Sequence, residues 1–213
     1  MPNFTYFDGR GHGERVRYAL AAAGFDFTET LLKTPQDFDT AKPRCLFQQV
    51  PLLEGLEGQS LGLVQSWSIV RFLARYNDLT PSDPYLAFRA DAVAETIRDF
   101  TESGGFVSFG WSDKDAGKAK MLDACTRFLP KFEAVLGPYC CGEAVCWADF
   151  QLLYLLNYTE EVLGAGVLSQ YPKLSTLRST LNKVPSMARF LATQAKGLVD
   201  ERYMKEVNTV LRR

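Results

Sequence analysis

The stretch NDLTPSDPY, Asn77 to Tyr85, constrains this chain most. It sets two prolines among turn-forming residues, and regular structure does not run through such a segment. The hydrophobic pattern differs on its two sides. Before it, strand-like and helix-like segments alternate. FTYF (Phe4 to Phe7) reads as a short strand. Glu14 to Ala23 reads as a helix rich in Ala, Arg and Leu, stopped at Gly24. FDFTETLL (Phe25 to Leu32) alternates as a second strand. VPLLEGLEGQSLGLV (Val50 to Val64) reads as a hairpin around Glu57-Gly58. SWSIVRFLARY then places Ile69, Phe72, Leu73 and Tyr76 at helical spacing. Strand, helix, strand, then hairpin and helix make a compact α/β unit on a mixed sheet.

After the break no segment reads as a strand. Tyr85 to Phe100 carries Leu86, Ala90, Val93, Ile97 and Phe100 on one helical face. Asp115 to Leu136 carries Leu122, Cys125, Leu129, Phe132 and Leu136 on one face, with Pro130 as a kink. WADFQLLYLLNY (Trp147 to Tyr158) is apolar nearly all round, the pattern of a buried central helix. Shorter helices are expected near Leu174 to Lys183 and Ser186 to Ala195. In the tail, Asp200 to Arg213, Tyr203, Val207 and Leu211 recur at helical spacing. The expected division is 1–76, a linker at 77–84, and an all-helical 85–213.

Composition narrows the function. A formal net charge of -1 gives no electrostatic case for nucleic acid or an anionic membrane, so neither is expected as a partner. No apolar run reaches membrane-span length and the start, MPNFTYFDGRG, is polar, so a cytoplasmic location is the default expectation. The five cysteines are odd in number, form no C-x-x-C pair and have no histidine beside them. That argues against a metal centre or a redox pair and for free thiols.

Chemistry concentrates at element ends. YFDGRGHGERVRY, Tyr6 to Tyr18, crosses a glycine-rich turn that holds the only histidine, His12. Gln65-Ser66 opens a helix, where unpaired N–H groups and the dipole favour an anion, although an ordinary serine cap reads the same way.

Five fragments occur in family order and spacing: YF-x-x-RG, K-x-x-x-x-x-x-QVP, QS opening a helix, T-I-x-DF, and WADF. Through them the chain resembles the cytosolic glutathione S-transferases, most closely the sigma class, which includes glutathione-dependent prostaglandin isomerases. The likeness runs to about Gly197. It implies a thioredoxin-like glutathione-binding N-terminal domain, then an all-α domain carrying an apolar substrate site. It implies glutathione as co-substrate with no metal or other cofactor, a small hydrophobic electrophile, and a homodimer.

Residue roles follow from the same resemblance. Tyr6 would aim its hydroxyl at the glutathione sulfur. Val50, after Gln49 and before a cis Pro51, would pair its backbone with the cysteinyl unit like an added strand. Gln65 and Ser66 would hold the γ-glutamyl carboxylate. Lys42 would hold the glycine carboxylate, with Phe38 where the sigma class has a tryptophan. Asp99 would reach across the dimer interface to the γ-glutamyl ammonium, and Phe47 is a candidate interface residue. His12 stands where relatives carry an arginine near the sulfur; near pKa 6.5, an imidazole is mostly neutral at about pH 7.5. Cys146 replaces a Ser or Thr helix cap paired with Asp149. The tail would pack as a partial lid, as a terminal helix does in the alpha class. The implied activity is glutathione conjugation to apolar electrophiles. A prostaglandin-type isomerase and a crystallin-like derivative without catalysis remain open.

Overall fold

The computed structural model describes residues 1–57, 61–105, 113–193 and 201–213. Four strands, β1 (Asn3–Phe7), β2 (Thr28–Leu32), β3 (Leu52–Glu54) and β4 (Leu63–Val64), form one sheet in the order β2-β1-β3-β4. β1 runs parallel to β2, with Tyr6 opposite Leu31, and antiparallel to β3, with Thr5 opposite Leu52. A parallel pair needs a crossover, and α1 (Glu14–Ala22) supplies it. Phe4 to Phe7 are buried, as befits a central strand covered on both faces.

β2 starts three residues later than its alternation suggests. Gly24 takes φ +76 and the Phe25 N–H bonds back to the Leu20 carbonyl at 2.9 Å, so Phe25 still closes the helix. The Phe25 ring packs on Tyr76 instead of joining the sheet. The pattern reading also missed α2 (Pro35–Ala41). Its signal was local: Thr34 and Asp37 form a reciprocal capping box, with Pro35 in the first turn. A 3-10 turn, Lys42–Arg44, continues it. The hairpin is only three and two residues long, and its tip at residues 58–60 lies outside the described residues. α3 (Ser66–Leu73) then packs beside α1.

Among the described residues, the regular elements that follow are helices. α4 (Pro84–Phe100) is capped by the Asp83 carboxylate, which accepts from the Tyr85 and Leu86 N–H groups, and it ends in a π-helical turn, Thr101–Gly105. α5 (Lys114–Val135) contains Pro130 and buries Cys125, Leu129 and Phe132 as expected, but not Leu122 at its N-terminal end. Met121 is fully buried while Leu122 is 53% exposed. Adjacent helical positions lie about 100° apart, so a partner surface decides which one faces inward. α6 (Trp147–Leu163) is buried over most of its length and packs against α1, α4, α5 and α7 (Pro172–Asn182). α8 (Pro185–Thr193) also rests on α1, and α9 (Glu201–Leu211) rests on α2. All five cysteines are free and buried. No helix among the described residues is long and apolar enough to cross a membrane.

Candidate active site

A cleft of about 730 Å³ opens where the ends of these elements converge. His12 and Arg15 enter it from the start of α1, Phe38 and Lys42 from the end of α2, and Gln49, Val50 and Pro51 from the approach to β3. Gln65 and Ser66 enter from the start of α3. Opposite them stand Arg98, Thr101 and Glu102, with Leu211 and Arg213 from the C-terminus. The Val50–Pro51 peptide is cis. Gln65 takes φ +68, a left-handed conformation uncommon for a residue with a side chain and often kept at functional turns. It makes Ser66 the first residue of α3, so the first-turn N–H groups have no partner within the helix. Gln65 Nε2 donates to Gln49 Oε1 at 3.1 Å, which joins the two glutamines into one wall. The Lys42 ammonium lies 4.8 Å from the Phe38 ring centre and 3.9 Å from the Asp39 carboxylate.

Tyr6 lies beside this cleft without lining it, and is 3% exposed. Its hydroxyl oxygen accepts from the His12 backbone N–H at 2.9 Å, and the Tyr203 hydroxyl of α9 lies close by, beside Gly11. The glycine turn makes this possible. Gly11 has φ +40, and a Cβ there would fall 2.6 Å from both hydroxyl oxygens. A Cβ on Gly13 would fall 2.4 Å from the Tyr6 ring. Arg17 ties the turn down by donating to the Gly9 carbonyl at 2.8 Å, to Glu14 at 2.9 Å and to Glu29 at 2.6 Å. α9 covers the arrangement: Tyr203, Val207 and Val210 are buried, and Arg212 forms a bidentate pair with Asp39 at 2.6 and 3.2 Å.

The model of the glutathione S-transferase N-terminal domain matches residues 2–75, and that of the glutathione S-transferase C-terminal domain matches residues 102–194. Glutathione S-transferase alpha M14 of Sus scrofa is 35% identical over 214 residues, covering 96% of this chain and 95% of that protein. The chain belongs to the glutathione S-transferase family. Its fold is the transferase fold, a thioredoxin-like domain with a mixed sheet followed by a helical domain. The glutathione S-transferase from Ascaris lumbricoides superposes with TM-score 0.76 at 28% identity, covering 92% of this chain and 98% of that one. Rat hPGDS, complexed with a quinoline, superposes with TM-score 0.74 at 26% identity and the same coverage. The curated relative carries an alpha-class name, whereas the motifs pointed to the sigma class.

The charges of the cleft are shaped by burial. Burial pushes the Tyr6 pKa above its ordinary value of 10, against the pull of the His12 N–H, Tyr203, Arg17 and Arg15. Tyr6 therefore keeps its proton near neutral pH and can act as a hydrogen-bond donor, not as a base. The His12 ring remains solvent-accessible at the cleft. The protein around it, and then the Arg15 charge, push its pKa down to about 4. Solvent access moderates the first cause, and Arg15 acts in the same direction. The neutral histidine expected near pH 7.5 is thus neutral well below that. Asp99 is exposed on α4 and does not line this chain's own cleft, although Arg98 and Thr101 do. Phe47 is 59% exposed and also borders the cleft. Sequence reasoning missed Arg15, one helical turn after His12, and the contact of Tyr203 with Tyr6. The first left a spacing signal, and the second left none.

Proposed function

We propose that this chain activates glutathione as a thiolate and conjugates it to small apolar electrophiles. The observation that carries the reading is the layout of the cleft: Lys42 in one wall, the first turn of α3 in another, and the Tyr6 hydroxyl alongside. Glutathione has a carboxylate at each end and a thiol between them. Lys42 receives the glycine carboxylate, with Phe38 as an apolar wall, while Ser66 and Gln65 receive the γ-glutamyl carboxylate. Val50, held between Gln49 and Pro51, offers its backbone to the cysteinyl unit. Asp99 comes from a second copy in a homodimer of cytoplasmic location, and the domain division falls at 77–84.

The energetics suit one tyrosine. A free thiol has a pKa of about 8.5, and lowering it by about two units takes about 2.7 kcal/mol. One hydrogen bond to a charged acceptor supplies roughly 1.5–3 kcal/mol. In this mechanism α9 gives way, the sulfur meets the Tyr6 O–H, and the thiol proton leaves to solvent. The sulfur lone pair then attacks the electrophilic carbon and the leaving group departs with its electrons. An isomerase of the prostaglandin type would use the same thiolate, and the likeness to rat hPGDS keeps it as the second reading. Sigma-class membership belongs with that second reading. Conjugation of glutathione to a chlorodinitrobenzene-type substrate, measured for the natural chain and for Tyr6→Phe, is the test. Activity that falls in Tyr6→Phe with glutathione binding retained is the expected outcome. Glutathione binding without conjugation would leave a ligand carrier, and no loss in Tyr6→Phe would remove Tyr6 from the chemistry.

A further inference from the structure

Away from the cleft, the loop before α6 gathers three of the five cysteines, Cys140, Cys141 and Cys146. The sequence holds no C-x-x-C pair, yet the fold sets Cys146 Sγ 3.3 Å from Cys141 Sγ across the four residues between them. At that distance nothing stands between the two sulfurs. The Cys146 thiol donates to the Cys141 sulfur, and the Cys141 thiol donates to the Leu86 carbonyl in the first turn of α4, also at 3.3 Å. Both cysteines are buried, and the bond to Leu86 lies at the half-buried edge of the cluster.

One carboxylate sets this spacing. Asp149 Oδ1 accepts from the Cys140 N–H at 2.7 Å and Oδ2 from the Cys146 N–H at 2.8 Å, so both ends of the loop are pinned to the first turn of α6. Tyr139 and Gly142 exchange backbone hydrogen bonds at 3.0 and 3.2 Å, a tight turn that carries Cys140 and Cys141 at its corner. Gly142 has φ +104 with open space around it, which leaves the turn room to adjust. Bonded sulfurs lie about 2.05 Å apart, so a disulfide needs rotation of the two side chains and a small shift of that turn. Burial raises both thiol pKa values and Asp149 adds to it at each, whereas the Cys146 S–H and Arg89 oppose it at Cys141. Cys141 is therefore the thiol that ionises first, and because it is buried it reacts slowly.

We infer that Cys141 and Cys146 form an oxidation site that closes to a disulfide on reaction with a peroxide, a reversible clasp at the start of α6. A peroxide suits the site because it is small and uncharged, whereas a bulky disulfide oxidant would have to open the loop. The Cys141 thiol loses its proton to solvent and its sulfur attacks one peroxide oxygen. The O–O bond breaks, the other oxygen leaves as water after taking up a proton, and Cys141 becomes a sulfenic acid. The Cys146 sulfur then attacks the Cys141 sulfur, the S–O bond breaks, and the hydroxyl leaves as water with the Cys146 proton. In sum two thiols are oxidised to one disulfide and one hydrogen peroxide is reduced to two waters. The second step is intramolecular, so the 3.3 Å spacing favours it over further oxidation of Cys141. The disulfide ends the thiol donation to Leu86 and fixes the loop to α6, which packs against α1 and α4. Neither cysteine lines the glutathione cleft, so the clasp stands whether or not this chain conjugates glutathione.

The experiment exposes the folded full-length chain to hydrogen peroxide, quenches with catalase, and then blocks the remaining thiols in denaturant. Two of the five thiols should be lost, and peptide mapping without reduction should find Cys141 joined to Cys146. Dithiothreitol should restore all five. Cys146→Ser should stop at a sulfenic acid on Cys141 that dimedone traps, and Cys141→Ser should form no disulfide at Cys146. A chain unfolded before oxidation should give mixed pairings, because the Asp149 contacts that set the spacing are gone. Five thiols surviving in the folded chain would show a pair too deeply buried to react and overturns the inference. A disulfide through Cys140 overturns it too, and so does a natural chain that stops at the sulfenic acid. If either serine variant fails to fold, the mapping of the natural chain decides alone.

Discussion

Tyr6 and Tyr203 meet hydroxyl to hydroxyl although they sit near opposite ends of the chain, and that contact decides what Tyr6 can reach. If the two hydroxyls bond, the bond is worth about 0.5–1.5 kcal/mol. In chemical denaturation, Tyr6→Phe and Tyr203→Phe should therefore be non-additive, with a coupling of that size. Additive losses would mean that the hydroxyls touch without bonding. His12 gives a second check, because it is the only histidine and its ring protons stand alone in a proton spectrum. Its titration midpoint should lie well below 6.5, toward 4. The sign for stability follows. Between about pH 6.5 and 4 the unfolded chain takes up a proton that the folded chain refuses, so stability is lost as pH falls through that window. His12→Asn should flatten that part of the stability curve, and a midpoint at or above 6.5 would count against the local electrostatics.

Among the elements, α6 carries the clearest unused stability. The buried Asp149 carboxylate accepts from the Cys140 N–H at 2.7 Å and from the Cys146 N–H at 2.8 Å, which ties the preceding loop to the helix. The cap position itself holds a thiol, a weak acceptor for the first-turn N–H groups, and that sulfur contacts Cys141 Sγ at 3.3 Å. Cys146 has φ -133 and ψ 173, extended backbone that suits a β-branched residue. Cys146→Thr should raise the denaturation midpoint, by about 0.5–1 kcal/mol in stability. A midpoint that stays put or falls would show that packing against Cys141 outweighs the cap. α2 and α5 show how far element reading goes. The cap signal for α2 was present as Thr34, Pro35 and Asp37, but the segment is short and lacks an apolar stripe long enough to stand out. For α5 the helix and its buried face at Cys125, Leu129 and Phe132 were legible, and only the choice of Met121 over Leu122 was not.

At the scale of the whole molecule, exposed apolar side chains bear on assembly. Leu46 and Phe47 are 68% and 59% exposed, and Tyr85 and Phe88 on α4 are 66% and 63% exposed. A groove of about 500 Å³ lies between α4 and α5, lined by Tyr85, Val93 and Phe132 among others. A homodimer burying these surfaces should be seen by sedimentation, and Phe47→Glu should weaken it at least about tenfold, since a charge is costly to bury. An unchanged association constant would take Phe47 out of the interface, and a monomer at all concentrations would leave Asp99 without its proposed role. The sequence by itself determined the class of fold, an α/β unit followed by helices, because periodicity, glycine stops and proline breaks are local properties of a few residues. Through the family resemblance its motifs also named Phe38, Lys42, Gln49, Val50, Pro51, Gln65 and Ser66, which line the cleft, but not Arg15 and Trp67, which line it too, and they included Tyr6 and Asp99, which do not. Tertiary structure alone decided that Met121 and not Leu122 faces the core, that Tyr203 closes on Tyr6, and that Arg15 is buried with no ion-paired carboxylate among the described residues. Each of these depends on what a distant element places against the residue, and a helical stripe leaves its facing residue open by one position until that partner is docked.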